Sequence, residues 1–287
     1  MPYRLIAIDL DGTLLNHEGK VTETNKLAVR RALEAGFRVV FATGRNYYES
    51  RRVIDEVGHY DAAVFVGGAS IVDTNGGETL HRQLIEPELA RQVCQLLERY
   101  DLPPMVLQDR ALAGVDFLVG PAPLPKVVSD WHHVHEAQVR RVSDWAGADL
   151  SHTMRIGTLG PPMNVEAAEA ALEARFGERL FFYRIMLGHT GAELLEIFDP
   201  SVNKWAGIEQ VAARHGIARE EIVAIGDDFN DLHMIQNAGL GVAMGNARPE
   251  IKAIAHRVIG THTDNGLAAF LDELVSQRIA ASGEAGR

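Results

Sequence analysis

Short apolar runs alternate with amphipathic segments over the first 70 residues. The runs at residues 4–10, 37–44 and 61–70 predict buried strands, and the segments at 22–36 and 46–58 predict helices between them. This order of strand, helix, strand, helix and strand is typical of a parallel sheet with crossover helices. The same alternation resumes at residue 193 and continues to a last predicted helix at 265–279.

The alternation of predicted strands and helices is interrupted between these two parts of the chain. Residues 86–187 contain helical patterns, candidate strands and a Pro-rich stretch at 120–126. In the predicted helix at 164–177, Val165, Ala168, Leu172 and Phe176 fall on one face. We therefore predict an α/β fold with a Rossmann-like parallel-sheet core and an inserted α+β domain. The expected boundaries are 1–84 for the first part of the core, 85–188 for the insertion and 189–287 for the second part of the core.

Composition narrows the possible classes of function. The net charge of −11 argues against a nucleic-acid or anionic-membrane surface, because both need basic patches. The single cysteine, Cys94, excludes an intrachain disulfide and fits a cytoplasmic location. We expect neither a signal peptide nor a membrane span, since the N-terminal apolar run is short and interrupted by Asp9 and Asp11. A small phosphorylated metabolite remains a suitable partner; the sequence does not determine the oligomeric state.

Two aspartates stand close together at the end of the first apolar run. Residues two apart in an extended segment point to the same side, so Asp9 and Asp11 are expected to face one place. Two carboxylates in a shared desolvated site repel each other unless a cation neutralises them. Mg²⁺, a hard cation with oxygen ligands, is the natural candidate. Gly12 permits a tight turn, and the backbone N–H groups there can help to bind an anion.

Other polar features occur at comparable points of the β/α units, beside the carboxyl ends of strands or the start of a helix: the segment Thr43, Gly44 and Arg45, then Lys204, the pair Asp227 and Asp228, and the pair Asn230 and Asp231. Ligands of open α/β sheets bind at this edge, and such a set provides metal ligands and phosphate donors. Each feature taken alone has an ordinary structural explanation. The Asp-Gly-Thr stretch could form a turn, Thr43 could cap a helix, and Lys204 could be a surface lysine. Residues 226–231 could form a helix-cap cluster or part of a Ca²⁺ loop. Their joint order favours a site for phosphoryl transfer.

At these residues the chain resembles the haloacid dehalogenase superfamily of Mg²⁺-dependent phosphatases. The signature DxDGT matches residues 9–13, and the Thr or Ser that closes the next strand matches Thr43. The family lysine matches Lys204, and GDxxND matches residues 226–231. The TGR sequence, the Gly67-Gly68-Ala69 segment and the long insertion resemble the Cof-like subfamily, whose members carry a type IIB (C2) α/β cap.

The resemblance implies a role for each matching residue. Asp9 is the expected nucleophile, which forms an aspartyl-phosphate, and Asp11 the expected general acid and base. The implied Mg²⁺ ligands are Asp9, Asp227 and the backbone carbonyl of Asp11, with Asp231 close by or coordinating through water. The expected phosphate-binding residues are Thr43, Gly44, Lys204, Asn230 and Gly12.

Two departures from the subfamily concern the leaving group. Cof-like proteins usually have Asn where this chain has Gly67, so a side chain that would contact the substrate or order the site is missing. They also often have Gly after the family lysine, where this chain has Trp205. Arg45 and Gly68 are further candidates for substrate contact.

The leading hypothesis is a Mg²⁺-dependent phosphatase that hydrolyses a small phosphate monoester, with the inserted domain as a cap that excludes water. Sugar phosphates are the default substrates by analogy, and flavin mononucleotide or pyridoxal phosphate remain open. One alternative is a hexose-phosphate mutase, which an assay of isomerised sugar phosphate against free phosphate would distinguish. Another is a non-catalytic regulator that binds a phosphate ligand, which would bind tightly without turnover.

Overall fold

The computed structural model describes residues 3–134, 137–187 and 191–285, and within these ranges the chain forms two units. One unit combines Met1–His81 with Asn203–Arg287, and the other is Arg82–Val202. The strands are β1 (Leu5–Ile8), β2 (Arg38–Phe41), β3 (Ala62–Phe65), β4 (Ser70–Asp73), β5 (Glu78–Arg82), β6 (Met105–Gln108), β7 (Phe117–Val119), β8 (Val139–Arg141), β9 (Thr153–Gly160), β10 (Phe181–Leu187), β11 (Ala192–Phe198), β12 (Ile222–Gly226), β13 (Leu240–Ala243) and β14 (Arg257–Val258). The helices are α1 (Glu23–Glu34), α2 (Tyr47–Val57), α3 (Pro87–Glu98), α4 (Arg110–Ala113), α5 (Lys126–Val134), α6 (Pro162–Phe176), α7 (Lys204–Arg214), α8 (Leu232–Asn237), α9 (Pro249–Ile254) and α10 (Gly266–Ala285).

The discontinuous unit is built on a parallel sheet with the strand order β14-β13-β12-β1-β2. Every residue of β1 and β12 is buried, as expected for central strands of a parallel sheet whose two faces are covered. The predicted strand at 61–70 is in fact a hairpin. Its first strand, β3, touches the parallel sheet through one bridge between Ala42 and Val64 and pairs with β4 in a second, antiparallel sheet.

The Arg82–Val202 unit contains a six-stranded sheet in the order β10-β11-β9-β6-β7-β8. Neighbouring strands are antiparallel except β7 and β8, and helices α3 and α6 share a buried apolar core with the sheet. The helix face predicted at 164–177 lies in that core, with Val165, Ala168, Leu172 and Phe176 all buried. Together, the parallel sheet and this α+β unit confirm the predicted fold class.

Both predicted boundaries between the domains differ from those of the structure, the second by more than the first. The sequence pattern predicts that the segment at 193–199 belongs to the second part of the core, but β11 pairs with β9 and β10, and Leu195 and Ile197 lie in the core of the other unit. The boundary therefore falls between Val202 and Asn203 rather than at 188/189, and the first falls at 81/82 rather than 84/85. A single apolar strand carries no local signal for which of two sheets it joins, because its partners are distant in sequence.

Helix α7 lies very close to β3 and to the turn that follows it. A Cβ atom built on Gly207 would lie 2.6 Å from Cγ1 of Val64. A Cβ atom built on Gly68 would lie 2.1 Å from the carbonyl oxygen of Asn203, and Gly68 has a φ of +110° that favours glycine. These two glycines allow the first turn of α7, which carries Lys204, to pack directly against neighbouring backbone.

Within the described ranges of the chain, no helix is both long enough and apolar enough to cross a membrane.

The packing of α7 predicts a large effect of Gly68→Ala. The new methyl group would collide with the Asn203 carbonyl, and overpacking of this kind costs about 1–3 kcal/mol. A strained φ adds to that cost. Urea unfolding should show the loss. Gly58→Ala is the matched control, because Gly58 also has a positive φ, +69°, but a Cβ there meets nothing within 4 Å. Equal losses in the two variants would contradict the packing argument.

Candidate active site

Asp9 directly follows β1 and lies buried at the carboxyl end of that strand. Asp9 is only 3% exposed, and its N–H donates to the carbonyl of Ile225 on β12 over 3.0 Å. The chain then turns tightly, because the N–H groups of Leu14 and Leu15 donate to the carbonyls of Asp9 and Leu10. Gly12 allows this turn through its φ of +74°, and a Cβ atom there would lie 2.2 Å from Oδ2 of Asp227.

Lys204 is a buried cation between two carboxylates. Its Nζ donates to Oδ1 of Asp9 over 2.6 Å and to Oδ1 of Asp231 over 2.7 Å, and the residue is 1% exposed. The side chain of Asn203 caps the helix start by accepting a hydrogen bond from the N–H of Ala206. Burial alone would lower the pKa of Lys204, but the charges of Asp231 and Asp9 outweigh it and raise that pKa. Lys204 is therefore charged at neutral pH.

Asp231 holds the loop that follows β12. Its Oδ2 accepts hydrogen bonds from the N–H groups of Asp227, at 2.8 Å, and Asp228, at 3.1 Å, while Oδ1 accepts from Lys204. Gly226 lets this carboxylate approach, since a Cβ there would lie 2.4 Å from Cγ of Asp231. The loop and the lysine are thus fixed by one fully buried side chain.

Three carboxylates form a cluster around this point. Asp9, Asp227 and Asp231 each offer an oxygen, and these oxygens lie within 4.8 Å of one another. Burial, followed by the negative charge of Asp231, raises the pKa of Asp9 well above its ordinary value. Burial and the charge of Asp231 also raise the pKa of Asp227 to about 7. If all three acids were ionised, one lysine would not compensate their negative charge, so this oxygen-only donor set can hold a hard divalent cation.

Asp11 does not join the cluster. Its side chain is 57% exposed and forms a two-pronged pair with Arg45, whose Nε and Nη2 donate over 2.8 and 2.5 Å. Burial would lower the pKa of Arg45, but the hydrogen bond and charge of Asp11 raise it. The expectation that both aspartates are desolvated is therefore wrong for Asp11. The tight turn at 10–14 buries the first carboxylate and leaves the second accessible.

The strand end that carries Thr43 contributes a buried hydroxyl. Oγ1 of Thr43 accepts from the N–H of Arg45 over 3.1 Å, and the Thr43 carbonyl accepts from the N–H of Gly67. A Cβ atom built on Gly44 would lie 3.6 Å from Nδ2 of Asn230. The structure thus brings the segment at 43–45 next to the loop at 226–231, as the sequence predicts for neighbouring strand ends.

The two departures from the subfamily both have packing roles. Gly67 has a φ of +65° in the turn that carries its N–H to Thr43, and Gly68 packs on the backbone of Asn203. Trp205 is buried, and the guanidinium of Arg219 lies 5.9 Å from its ring centroid. A contact of Gly68 with substrate stays a prediction, because its described surroundings are the start of α7.

Asn246, which the sequence reasoning missed, is bonded to two parts of this site. Its Nδ2 donates to the carbonyl of Gly12 over 2.8 Å and to Oδ2 of Asp227 over 3.1 Å. The residue follows β13, so it lies past the carboxyl end of a strand of the same parallel sheet. That position past the end of a strand is the signal in the sequence that could have identified it.

Comparison with known proteins gives the family. A family model described as haloacid dehalogenase-like hydrolase matches residues 6–271. The chain belongs to this family. It is 27% identical to the 5-amino-6-(5-phospho-D-ribitylamino)uracil phosphatase YwtE of Bacillus subtilis, over 96% of this chain and 100% of the relative. It is 28% identical to the HMP-PP phosphatase of Klebsiella pneumoniae, over 93% of this chain and 94% of the relative.

A solved structure extends this likeness to the inserted unit. The HAD subclass IIB sugar phosphatase BT4131 matches with a TM-score of 0.78 and covers 94% of this chain and 98% of its own. At 19% identity this likeness supports the fold alone. The predicted family, a family of hydrolases, is confirmed, and the fold matches that of this structure.

The raised carboxyl pKa values predict how metal-free stability depends on pH. The pKa of Asp227 is about 7 in the folded chain, against an ordinary pKa of 3.8. Between these two pH values the folded chain holds a proton that the unfolded chain has lost, so folding takes up a proton. The free energy of unfolding in EDTA should therefore fall as pH rises from about 4 to about 7. Asp227→Asn should flatten this slope and be more stable than the wild type at the upper end.

Urea unfolding at a series of pH values in EDTA measures this slope. Asp55→Asn, on the exposed surface of α2, is the control and should track the wild type. An Asp227→Asn slope identical to that of the wild type would contradict the assignment.

Proposed function

We propose that this enzyme hydrolyses a small phosphate monoester through an aspartyl-phosphate on Asp9. The observation that carries the proposal is the pairing of buried Asp9 with Lys204 beside Asp227 and Asp231. A buried carboxylate held by a fixed cation is oriented before the substrate arrives, and it needs no rearrangement at the moment of reaction. The carboxylate of Asp9 is also next to the site that best fits a divalent cation.

The first half of the proposed reaction transfers the phosphoryl group to the protein. A carboxylate oxygen of Asp9 attacks phosphorus, and the bond between phosphorus and the ester oxygen breaks. The carboxyl group of Asp11 gives its proton to the leaving alcohol oxygen. The accessibility of Asp11 supports this role, because a general acid must reach the leaving group. In its carboxylate form, Asp11 is held by Arg45 through two hydrogen bonds.

The second half releases phosphate. The carboxylate of Asp11 takes a proton from a water molecule, whose oxygen attacks phosphorus, and the bond to Asp9 breaks to regenerate its carboxylate. Thr43, Gly44, Gly12, Asn230 and Lys204 are the proposed donors to the phosphoryl oxygens. Arg45 is not among these donors, and its proposed role is the orientation of Asp11.

Mg²⁺ is the proposed cofactor, because the cluster offers only carboxylate oxygens. Asp9, Asp227 and the backbone carbonyl of Asp11 would hold it, with Asp231 close by, and the bound ion would neutralise charge on the transferring phosphoryl group. Asp231 already accepts three hydrogen bonds, so we assign it mainly to fixing Lys204 and the loop.

We infer a substrate class from the relatives. One named relative is a 5-amino-6-(5-phospho-D-ribitylamino)uracil phosphatase and another is an HMP-PP phosphatase, so both act on small phosphorylated metabolites. We propose a substrate of that class, with the Arg82–Val202 unit as the part that selects the leaving group. A phosphate-release screen should include the aminouracil ester, sugar phosphates, flavin mononucleotide and pyridoxal phosphate, and ranking by kcat/KM identifies the preferred ester.

The direct mutational test is Asp9→Asn. Loss of the nucleophile should lower kcat for Mg²⁺-dependent phosphate release at least about 1,000-fold, since removal of a covalent nucleophile costs at least that much in well-studied hydrolases. Asp55→Asn is the matched control and should retain wild-type kcat. Turnover of the Asp9→Asn variant at the wild-type rate would exclude the proposed mechanism.

A further inference from the structure

We propose that Asn246 is a positioning residue that orients Asp227 for the metal ion. The inference rests on the proposed function, because it assumes that Asp227 holds a divalent cation. It goes beyond that proposal by assigning the orientation of this carboxylate to an amide outside the four family signatures. The residue acts through Asp227 and touches neither the substrate nor the reacting atoms.

The contacts of Asn246 use its whole amide group. Both Nδ2 hydrogens are directed to acceptors, one on the carbonyl of Gly12 and one on Oδ2 of Asp227. Its Oδ1 accepts from the N–H of His262 over 3.0 Å. Exchanging the amide oxygen and nitrogen would place the oxygen against two acceptors and the nitrogen against a donor. This pattern fixes which way the amide points.

The backbone around Asn246 is itself tied to the site. The N–H of Met244 donates to the carbonyl of Gly226 and that of Arg248 to the carbonyl of Asp227, each over 3.0 Å. The N–H of Gly245 donates to the carbonyl of Gly260, also over 3.0 Å. The segment therefore runs alongside the loop that carries Asp227, and the amide is held from both sides.

The consequence for Asp227 follows from these contacts. A carboxylate on a short side chain can still rotate about its last bond, and a donor on one oxygen restricts that rotation. Asn246 also joins Asp227 to the Gly12 carbonyl, so it fixes the turn at 10–14 relative to the loop after β12. Partners of this kind, which orient a metal ligand without touching the metal, typically contribute 10–100-fold to metal affinity.

The test measures metal affinity directly on the full-length protein. Mn²⁺ alone is titrated into the wild type, Asn246→Ala and Asn246→Ser, and free Mn²⁺ is followed by electron paramagnetic resonance. We expect the Kd for Mn²⁺ to rise about 10–100-fold in Asn246→Ala. A smaller rise is expected in Asn246→Ser, whose shorter side chain keeps one donor. The Mg²⁺ concentration for half-maximal activity should rise in parallel, with kcat recovering as Mg²⁺ is increased.

Asn237→Ala is the matched control. Asn237 is the last residue of α8, and its amide donates to the carbonyl of His233, so its loss removes a hydrogen bond without touching Asp227. This variant should bind Mn²⁺ as the wild type does. If the Ala variant does not fold, the Ser variant carries the same comparison.

Two results would overturn the inference, and they differ. A Kd for Mn²⁺ equal to that of the wild type in the Asn246 variants, with only a lower Tm, would show a purely structural role and leave the proposed function standing. Failure of the wild type itself to bind Mn²⁺ would overturn the proposed function and this inference together.

Discussion

The site depends on one buried interaction, the pairing of Lys204 with Asp9 and Asp231. It joins the end of β1, the start of α7 and the loop after β12, three elements far apart in the sequence. A buried charge is tolerated only when it is paired, and loss of one partner of such a pair typically costs about 3–5 kcal/mol. Removal of the lysine alone would therefore destabilise the unit, and the same side chain fixes the carboxylate proposed as the nucleophile.

The close approach of these elements depends on glycines, which have no side chain to occupy the contact. Gly68 lets the turn after β3 reach the carbonyl of Asn203, and Gly226 makes room for the carboxylate of Asp231. Gly12 does the same for Asp227. Each glycine lies where a methyl group would occupy space needed by a functional segment or side chain. The backbone thus sets how near the carboxylates come, and the negative charge this concentrates favours a divalent cation.

Much of this arrangement could be predicted from the sequence, for a physical reason. Carboxyl ends of parallel strands meet at one edge, so residues such as Asp9 and Asp227 were expected to lie together before any contact was known. The prediction was wrong where the local sequence pattern carries no information about strand partners or turn geometry. The sequence of β11 does not show which of the two sheets this strand joins. The turn at 10–14, which leaves Asp9 buried and Asp11 exposed, depends on hydrogen bonds rather than on residue spacing. Asn246 was missed because an amide after a glycine resembles an ordinary turn residue.

The account divides the chemistry between two aspartates that the chain keeps in different surroundings. Buried Asp9 is held for attack, and accessible Asp11 is held by Arg45 for proton transfer. The most direct measurement is acid quench of the Asp11→Asn variant during reaction with Mg²⁺ and p-nitrophenyl phosphate, whose leaving group needs little protonation. Mass spectrometry should find a phosphoryl group on the peptide that contains Asp9, because hydrolysis of the intermediate is slowed. Phosphate release by the wild type with inversion of configuration at phosphorus, and no phosphoryl group on that peptide, would contradict the account.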